Sequence, residues 1–212
     1  MNILYILCEG QSEEAFIKQV LAPYFESLNL QITPKITKTS ANAKGGGLKY
    51  SRIKKEILNL LNHKQAFVST FFDYYALPKD FPKYNEQSGD IYQKINILEQ
   101  GFNEDINCER FFSHIQPYEF ESLLFSDIDK IIEANPLWNA SHLTKLQRIT
   151  QEFTNIELIN NSPQTSPSHR LKNILPHYQK IIHGTEIAKK TTIATIRTKC
   201  RHFNEWCNKF SF

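Results

Sequence analysis

Short apolar segments alternate with amphipathic helical segments along the first 125 residues, and this alternation restricts the fold more than any other feature. The apolar segments have the length and the β-branched and aromatic content of buried strands. The predicted strands cover residues 2–8, 30–37, 66–72 and 110–116. The predicted helices cover residues 12–28, 50–62 and 91–102, with a further helix beginning near residue 118. Such alternation is typical of an α/β fold with a largely parallel sheet flanked by helices.

The composition is that of a folded globular chain. Of the 212 residues, 41% are hydrophobic and 22% are charged, which excludes disordered, collagen-like and coiled-coil proteins. No apolar run reaches the roughly 18 residues that a membrane-spanning helix needs, and the apolar stretch over residues 3–8 is too short for a signal peptide. We therefore expect a cytoplasmic protein with no membrane partner.

Charge divides the chain into two parts. Residues 1–135 hold 14 Lys and Arg against 18 Asp and Glu, whereas residues 136–212 hold 11 against 4, with five of the seven histidines. We predict an α/β catalytic core over residues 1–135 and a basic helical part over residues 136–212 packed on it. An acidic region joined to a basic region fits a metal-dependent enzyme acting on phosphates. Chance asymmetry on a solvated surface would give the same counts.

The cysteines and the last apolar residues favour structural roles. Cys8, Cys108, Cys200 and Cys207 form no C-x-x-C pair, so reduced thiols are expected. Cys200, His202 and Cys207 suggest zinc, but the spacing of the two cysteines suits one face of a helix better than a ligand loop. The predicted core face of a single terminal helix consists of Ile193, Ile196, Cys200, Phe203 and Cys207.

Carboxylates follow three of the predicted strands. Glu9 follows the first strand, Asp73 the third, and Glu119 and Glu121 the fourth. Ligands of parallel α/β sheets bind beyond the carboxyl ends of the strands, and convergent carboxylates are what a Mg²⁺ site for phosphoryl transfer needs. Glu13, one helical turn after Glu9, could reach the same space. Taken alone, Glu9 could simply cap the helix that follows it. Glu119 and Glu121 would face different directions on a helix, so at most one of them should point at the site.

The motifs around these carboxylates resemble a known family. Residues 7–13 (LCEGQSE), a strand ending in E-G-x-[ST]-E, resemble the first motif of Toprim domains, the catalytic fold of type IA and type II topoisomerases, bacterial primases and overcoming-lysogenisation-defect (OLD) nucleases. Further motifs lie at residues 71–78 (FFDYYALP), 115–127 (IQPYEFESLLFSD), 166–171 (SPSHRL), 178–180 (YQK) and 183–184 (HG). With these motifs in order, nearly the whole chain resembles domain-of-unknown-function family 4276, which implies a Toprim-like, Rossmann-like fold.

The resemblance implies a role for each acidic residue. Glu9 corresponds to the Toprim glutamate and Asp73 to the first aspartate of the D-x-D motif, whereas Tyr75 stands in the place of the second aspartate. Glu13 and Glu121 are similar to additional glutamates of OLD-type nucleases and related families. The implied ligands of Mg²⁺ or Mn²⁺ are therefore Glu9, Glu13, Asp73 and Glu121.

Basic and aromatic residues are candidates for binding the substrate. The resemblance to OLD-type nucleases implies that Lys180 neutralises charge in the transition state, which completes a catalytic set with Glu9, Asp73 and Glu121. The predicted substrate-binding residues are Lys44, Lys49, Arg52, Tyr74, Tyr75, Arg170 and Arg197. The basic residues would bind phosphates and the tyrosines would stack on unpaired bases. The alternatives are exposed helix charges, a connecting loop and packed rings.

The resemblance implies a Mg²⁺- or Mn²⁺-dependent nuclease or a related phosphodiester-processing enzyme. We expect nucleic acid as a partner. An ATPase partner protein, an effector role in mobile-element defence and a homo-oligomer are further hypotheses. The alternative is a non-catalytic Toprim-like module that binds nucleic acid or an ATPase, which the missing second aspartate favours.

Overall fold

A parallel sheet lies at the centre of the computed structural model, which describes residues 2–37, 49–160 and 162–210. The strands are β1 (Asn2–Cys8), β2 (Leu30–Ile36), β3 (Ala66–Asp73), β4 (Phe111–Phe112) and β5 (Ile115–Gln116). The strand pairs are all parallel, and four of the strands lie in the order β2-β1-β3-β4. Strand β5 pairs with the last two residues of β3, further along β3 than the residues that pair with β4. The predicted α/β class with a largely parallel sheet is confirmed.

The last predicted strand is divided into two short strands. His114 interrupts it, because the Thr70 side chain bonds to both backbone groups of His114, whose carbonyl also accepts a longer bond of 3.4 Å from the N–H of Phe72 in β3. The Thr70 hydroxyl donates to the carbonyl of His114 and accepts from its N–H, each over 3.0 Å. The prediction of one strand over residues 110–116 is therefore wrong at its centre.

Helices cover both faces of the sheet. They are α1 (Gln11–Phe16), α2 (Ala22–Glu26), α3 (Tyr50–Leu61), α4 (Ile91–Ile106), α5 (Ile128–Glu133), α6 (Ala140–Glu152), α7 (Pro167–Ile174), α8 (Lys180–Thr191), α9 (Ile193–Lys199) and α10 (Arg201–Asn208). A π-helical turn over Ile17–Leu21 joins α1 to α2, so the helix predicted over residues 12–28 is continuous with one widened turn. Within the described ranges, no helix combines the length and hydropathy needed to cross a bilayer.

Alternate residues of β1 contribute to two separate apolar clusters. Leu4 and Ile6 lie in a cluster with α1, α2 and the C-terminal helices, whereas Leu7 lies in a cluster with α3 and α4. This division follows from the two-residue period of a strand, which points successive side chains to opposite faces. The C-terminal helices thus share one core with the sheet.

The C-terminal residues form three helices where the sequence predicts one. Thr192 has a φ of 70° and Cys200 is extended, so the chain turns at both positions. Glu157 accepts hydrogen bonds from the backbone N–H groups of His202 and Phe203, each over 3.0 Å, and so caps α10. The residues predicted to form the core face are nevertheless all buried: Ile193, Ile196, Cys200, Phe203 and Cys207.

Candidate functional site

Two carboxylates meet at the carboxyl edge of the sheet. Glu9 directly follows β1, and Asp73 is the last residue of the adjacent strand β3. Glu9 Oε1 accepts a hydrogen bond from the backbone N–H of Asp73 over 2.9 Å. Parallel pairing of β1 and β3 therefore places these side chains together although 64 residues separate them in the chain.

Glu13 approaches the same edge from the first turn of α1. Its Oε2 accepts a hydrogen bond from the N–H of Gly10 over 3.1 Å, and the side chain is buried. A β-carbon at position 10 would lie 3.2 Å from this oxygen, so glycine allows the close approach. The capping role considered for Glu9 thus belongs to Glu13, whereas Glu9 bonds across to β3.

Glu119 and Glu121 both lie near Asp73, which corrects the expectation that at most one of them points at the site. The chain does not form an α-helix after β5: Tyr118 has a φ of 56°, Glu119 is extended, and Phe120–Ser126 is a 3-10 helix. Asp73 Oδ1 accepts the N–H of Phe120 over 2.8 Å, which anchors this 3-10 helix beside β3. Glu119 Oε2 accepts the N–H of Ser168, at the start of α7, over 2.9 Å.

Lys180 forms an ion pair with Glu121. Lys180, the first residue of α8, places Nζ 2.8 Å from Glu121 Oε1. Glu121 is 1% exposed, and its Oε2 has no hydrogen-bond partner among the described residues. The buried hydroxyl of Tyr178 also has none. In the sequence, only the position of Tyr178 in the YQK motif with Lys180 points to it.

The carboxylates of this acidic cluster (Glu9, Glu13, Asp73, Glu119 and Glu121) act on one another electrostatically. Burial, followed by the negative charges of the other four, raises the pKa of Asp73 well above its usual range. Burial also raises the pKa of Glu121 despite the opposing effect of Lys180. For Lys180, burial alone would lower the pKa, but Glu121, Glu119 and Asp73 raise it. One lysine therefore faces a concentration of negative charge that a divalent cation would relieve.

The donor atoms fit Mg²⁺ or Mn²⁺. Hard divalent cations prefer carboxylate oxygens, and the unpartnered Oε2 of Glu121 leaves one such oxygen available inside the protein. A buried polar atom without a partner costs free energy, commonly about 1–3 kcal/mol. The acidic cluster thus has the chemistry of a cation site.

The pKa of Glu9 makes stability depend on pH in the absence of metal. Burial and the charge of Glu13 raise this pKa from 4.5 to about 8, so between these values the folded state holds a proton that the unfolded state releases. The stabilising contribution of that proton is present below pH 4.5 and is lost as the pH rises through about 8. Urea unfolding in EDTA should show wild-type stability falling over this range relative to Glu9→Gln.

The matched control for this measurement is Glu133→Gln, which removes an exposed carboxylate on α5 that pairs with Lys130 at 2.7 Å. It should keep the wild-type dependence on pH. Parallel curves for wild type and Glu9→Gln would contradict the prediction.

The predicted aromatic residues lie beside the acidic cluster with different exposures. The hydroxyl of Tyr74 donates to Gln87 Oε1 over 2.5 Å, and this side chain is half-buried. Tyr75 is 41% exposed, its ring centroid lies 5.5 Å from that of Tyr118, and its hydroxyl accepts from Asn160. Tyr75 is therefore the more accessible of the two rings.

The predicted basic residues are dispersed. Lys44 lies outside the described residues, and Lys49 and Arg52 are exposed at the start of α3. Arg170 donates to the carbonyl of Thr165 over 2.7 Å and lies over the Phe153 ring. These contacts make Arg170 part of the packing around α7.

Arg197 lies at the opposite end of the sheet from the acidic cluster. It lines a cavity with Asn2 and Leu30, the first residues of β1 and β2, whereas the carboxylates follow the last residues of the strands. Its guanidinium donates to the side chains of Asn204 and Asn208 over 2.9 and 2.7 Å. We therefore leave Arg197 out of the proposed site.

A second cluster of titratable groups is buried between α4, the β4–β5 connection and α10. Glu99, His114 and His202 each offer one ligand atom, and these three atoms lie within 4.8 Å of one another. The cluster could hold a metal ion. Because the three residues are far apart in the chain, no local spacing in the sequence indicates it.

Comparison with known proteins identifies a family and remote structural similarity. Residues 8–211 match the family model described as "Domain of unknown function (DUF4276)". Two solved structures of the C-terminal region of the Xanthomonas campestris pv. campestris OLD protein, phased with platinum and with iodine, have 14% and 16% identity and TM-scores of 0.44 and 0.41. Each alignment covers 97% of this chain, and 94% and 96% of the other chain, respectively. No curated protein matches significantly. Since the family model spans almost the whole sequence, the chain belongs to the DUF4276 family.

Proposed function

We propose that the chain is a Mg²⁺- or Mn²⁺-dependent nuclease, or a related phosphodiester-processing enzyme, of Toprim type. The observation that carries this proposal is the convergence of Glu9, Asp73 and Glu121, with Lys180, at the carboxyl edge of a parallel sheet. Two or three carboxylates with one adjacent cation are a common arrangement for holding a metal ion and a phosphate together.

Each residue has a distinct role in the proposal. Glu9, Asp73 and Glu121 hold the first cation, and Glu13 assists a second. A cation held there would supply an activated water and would stabilise the charge of a leaving oxygen. A cation on Glu121 would release Lys180 from its ion pair, which frees the ammonium to neutralise a phosphate.

The proposal extends to partners. The exposed ring of Tyr75 beside the carboxylates supports nucleic acid as the substrate, since bases stack on aromatic side chains. An ATPase partner, an effector role in mobile-element defence and a homo-oligomer are kept as hypotheses that follow from the family resemblance.

One observation favours a second candidate, a non-catalytic module that binds nucleic acid or an ATPase. Tyr75 occupies the place of the second D-x-D aspartate, and its hydroxyl is held by Asn160 over 2.6 Å. A phenol hydroxyl cannot replace a carboxylate at a Mg²⁺ site. The remaining carboxylates must therefore suffice for catalysis, or the site binds without reacting.

Cleavage of labelled single- and double-stranded DNA and RNA, with Mg²⁺ or Mn²⁺, distinguishes these functions. We expect metal-dependent products from the wild type and from the control Glu133→Gln, and none above background from Glu9→Gln. If the wild type binds nucleic acid equally well with and without metal and cuts none of the four substrates, the binding module is the better description.

A further inference from the structure

We propose that Glu99, His114 and His202 form a second metal site, for a borderline transition-metal ion of which Zn²⁺ is the representative. The site would join α10 to α4 and to the end of the sheet. It is separate from the acidic cluster and does not rest on the proposed nuclease function.

The orientation of His114 supports a role as a metal ligand. Gln116 donates from Nε2 to Ser122 Oγ over 3.2 Å, which places its Oε1 toward His114 Nε2, 3.3 Å away. Since an amide oxygen only accepts, His114 Nε2 carries the proton and Nδ1 carries the lone pair. A metal-ligating histidine commonly donates its other N–H to an oxygen in this way.

The lone pair on His114 Nδ1 faces a carboxylate oxygen of Glu99, which is also electron-rich. Nδ1 lies 4.0 Å from Glu99 Oε1, beyond hydrogen-bond distance, and His114 is 1% exposed. Two electron-rich atoms at this separation leave space for a cation between them, because zinc binds nitrogen and oxygen ligands at about 2.0–2.2 Å.

His202 supplies the third ligand atom. Its Nε2 lies 3.0 Å from Glu99 Oε1, where a shared proton now joins the two side chains. Metal binding would displace this proton from Nε2, to Nδ1 when the imidazole is neutral and to solvent when it is an imidazolium, and the neutral imidazole and the carboxylate would be the ligands. Glu99 Oε1 is oriented in turn by the N–H of Ile115 over 2.7 Å.

The surroundings hold these ligands in place. The indole of Trp206 stacks on His114 with ring centroids 4.5 Å apart, and the Phe71 ring lies 5.5 Å away on centroids. An apolar shell of this kind restricts water and orients imidazole rings. Two imidazoles and one carboxylate suit Zn²⁺, Co²⁺ or Ni²⁺ better than Mg²⁺, whose ligands are mainly oxygens.

The test uses the full-length chain after EDTA treatment, with Zn²⁺ and Co²⁺ as probes. We expect one tightly bound Zn²⁺ per chain after dialysis and, with Co²⁺, visible absorption typical of nitrogen and oxygen ligands in low coordination. The variants His202→Gln and Glu99→Gln should weaken Zn²⁺ binding by at least about 100-fold. His63→Gln, which changes an exposed histidine, should bind as the wild type does.

Two results would overturn the proposal. One is a wild-type chain that retains no Zn²⁺ and gives no cobalt absorption, a measurement that requires no variant to fold. The other is Zn²⁺ binding that is lost in Glu9→Gln but kept in a folded His202→Gln or Glu99→Gln, which would locate the ion at the acidic cluster.

Discussion

Replacing Asp73 by asparagine should reduce metal-dependent cleavage by at least about 10³-fold, because a lost ligand removes several kcal/mol of charge stabilisation. The same substitution should raise the free energy of unfolding of the metal-free protein by about 1 kcal/mol, since the carboxylate is repelled by its four acidic neighbours. The amide oxygen of asparagine can still accept the N–H of Phe120, so the backbone anchor is kept. Cleavage rates and urea unfolding in EDTA measure the two effects.

The opposite signs make this substitution informative. Substitution of a residue needed only for structure would lower the activity and the stability of the protein together. Mg²⁺ should stabilise the wild type more than Asp73→Asn, and Glu133→Gln should follow the wild type in all three measurements. An Asp73→Asn protein that is less stable than the wild type in EDTA would contradict our account of the acidic cluster.

Replacing Trp206 by alanine should destabilise the fold by about 3–5 kcal/mol, as expected for deletion of a large buried aromatic side chain. Trp206 is 1% exposed, its indole N–H donates to Ser69 Oγ over 2.8 Å, and its ring stacks on Phe71 with centroids 5.3 Å apart. Chemical unfolding followed by circular dichroism measures the loss.

Trp206→Phe is the matched control. It keeps an aromatic ring but loses the indole donor, while Ser69 still donates to the carbonyl of Phe112 over 2.6 Å. We expect a smaller loss than for alanine, made up of about 1 kcal/mol for the hydrogen bond and a further contribution from the smaller ring. Equal losses for alanine and phenylalanine would show that the hydrogen bond, not the packing, holds α10.

The sheet and its acidic edge were predictable because they depend on local patterns. The residues of β1 and β3 are mostly apolar or β-branched, and a carboxylate follows each of these segments directly. Parallel pairing then places Glu9 and Asp73 together without further information. Glu121 was singled out by its position after the fourth predicted strand, and the family resemblance added Lys180, with which it forms an ion pair.

The remaining features depend on contacts distant in the chain. The interruption at His114 needs the Thr70 side chain, and the shared position of Glu119 and Glu121 needs the left-handed backbone of Tyr118. Local propensity favours a helix after Pro117 and gives no sign of either. Glu99, His114 and His202 come from three elements, so only the folded chain shows that they adjoin.

The hydrogen bond between Trp206 and Ser69 spans 137 residues of sequence, and this separation has a consequence during translation. While α8, α9 and α10 are still being added, the sheet face that packs on them is covered only in part, and the acidic cluster lacks Lys180. The acidic cluster therefore gains its lysine only after α8 has docked, late in the synthesis of this sequence.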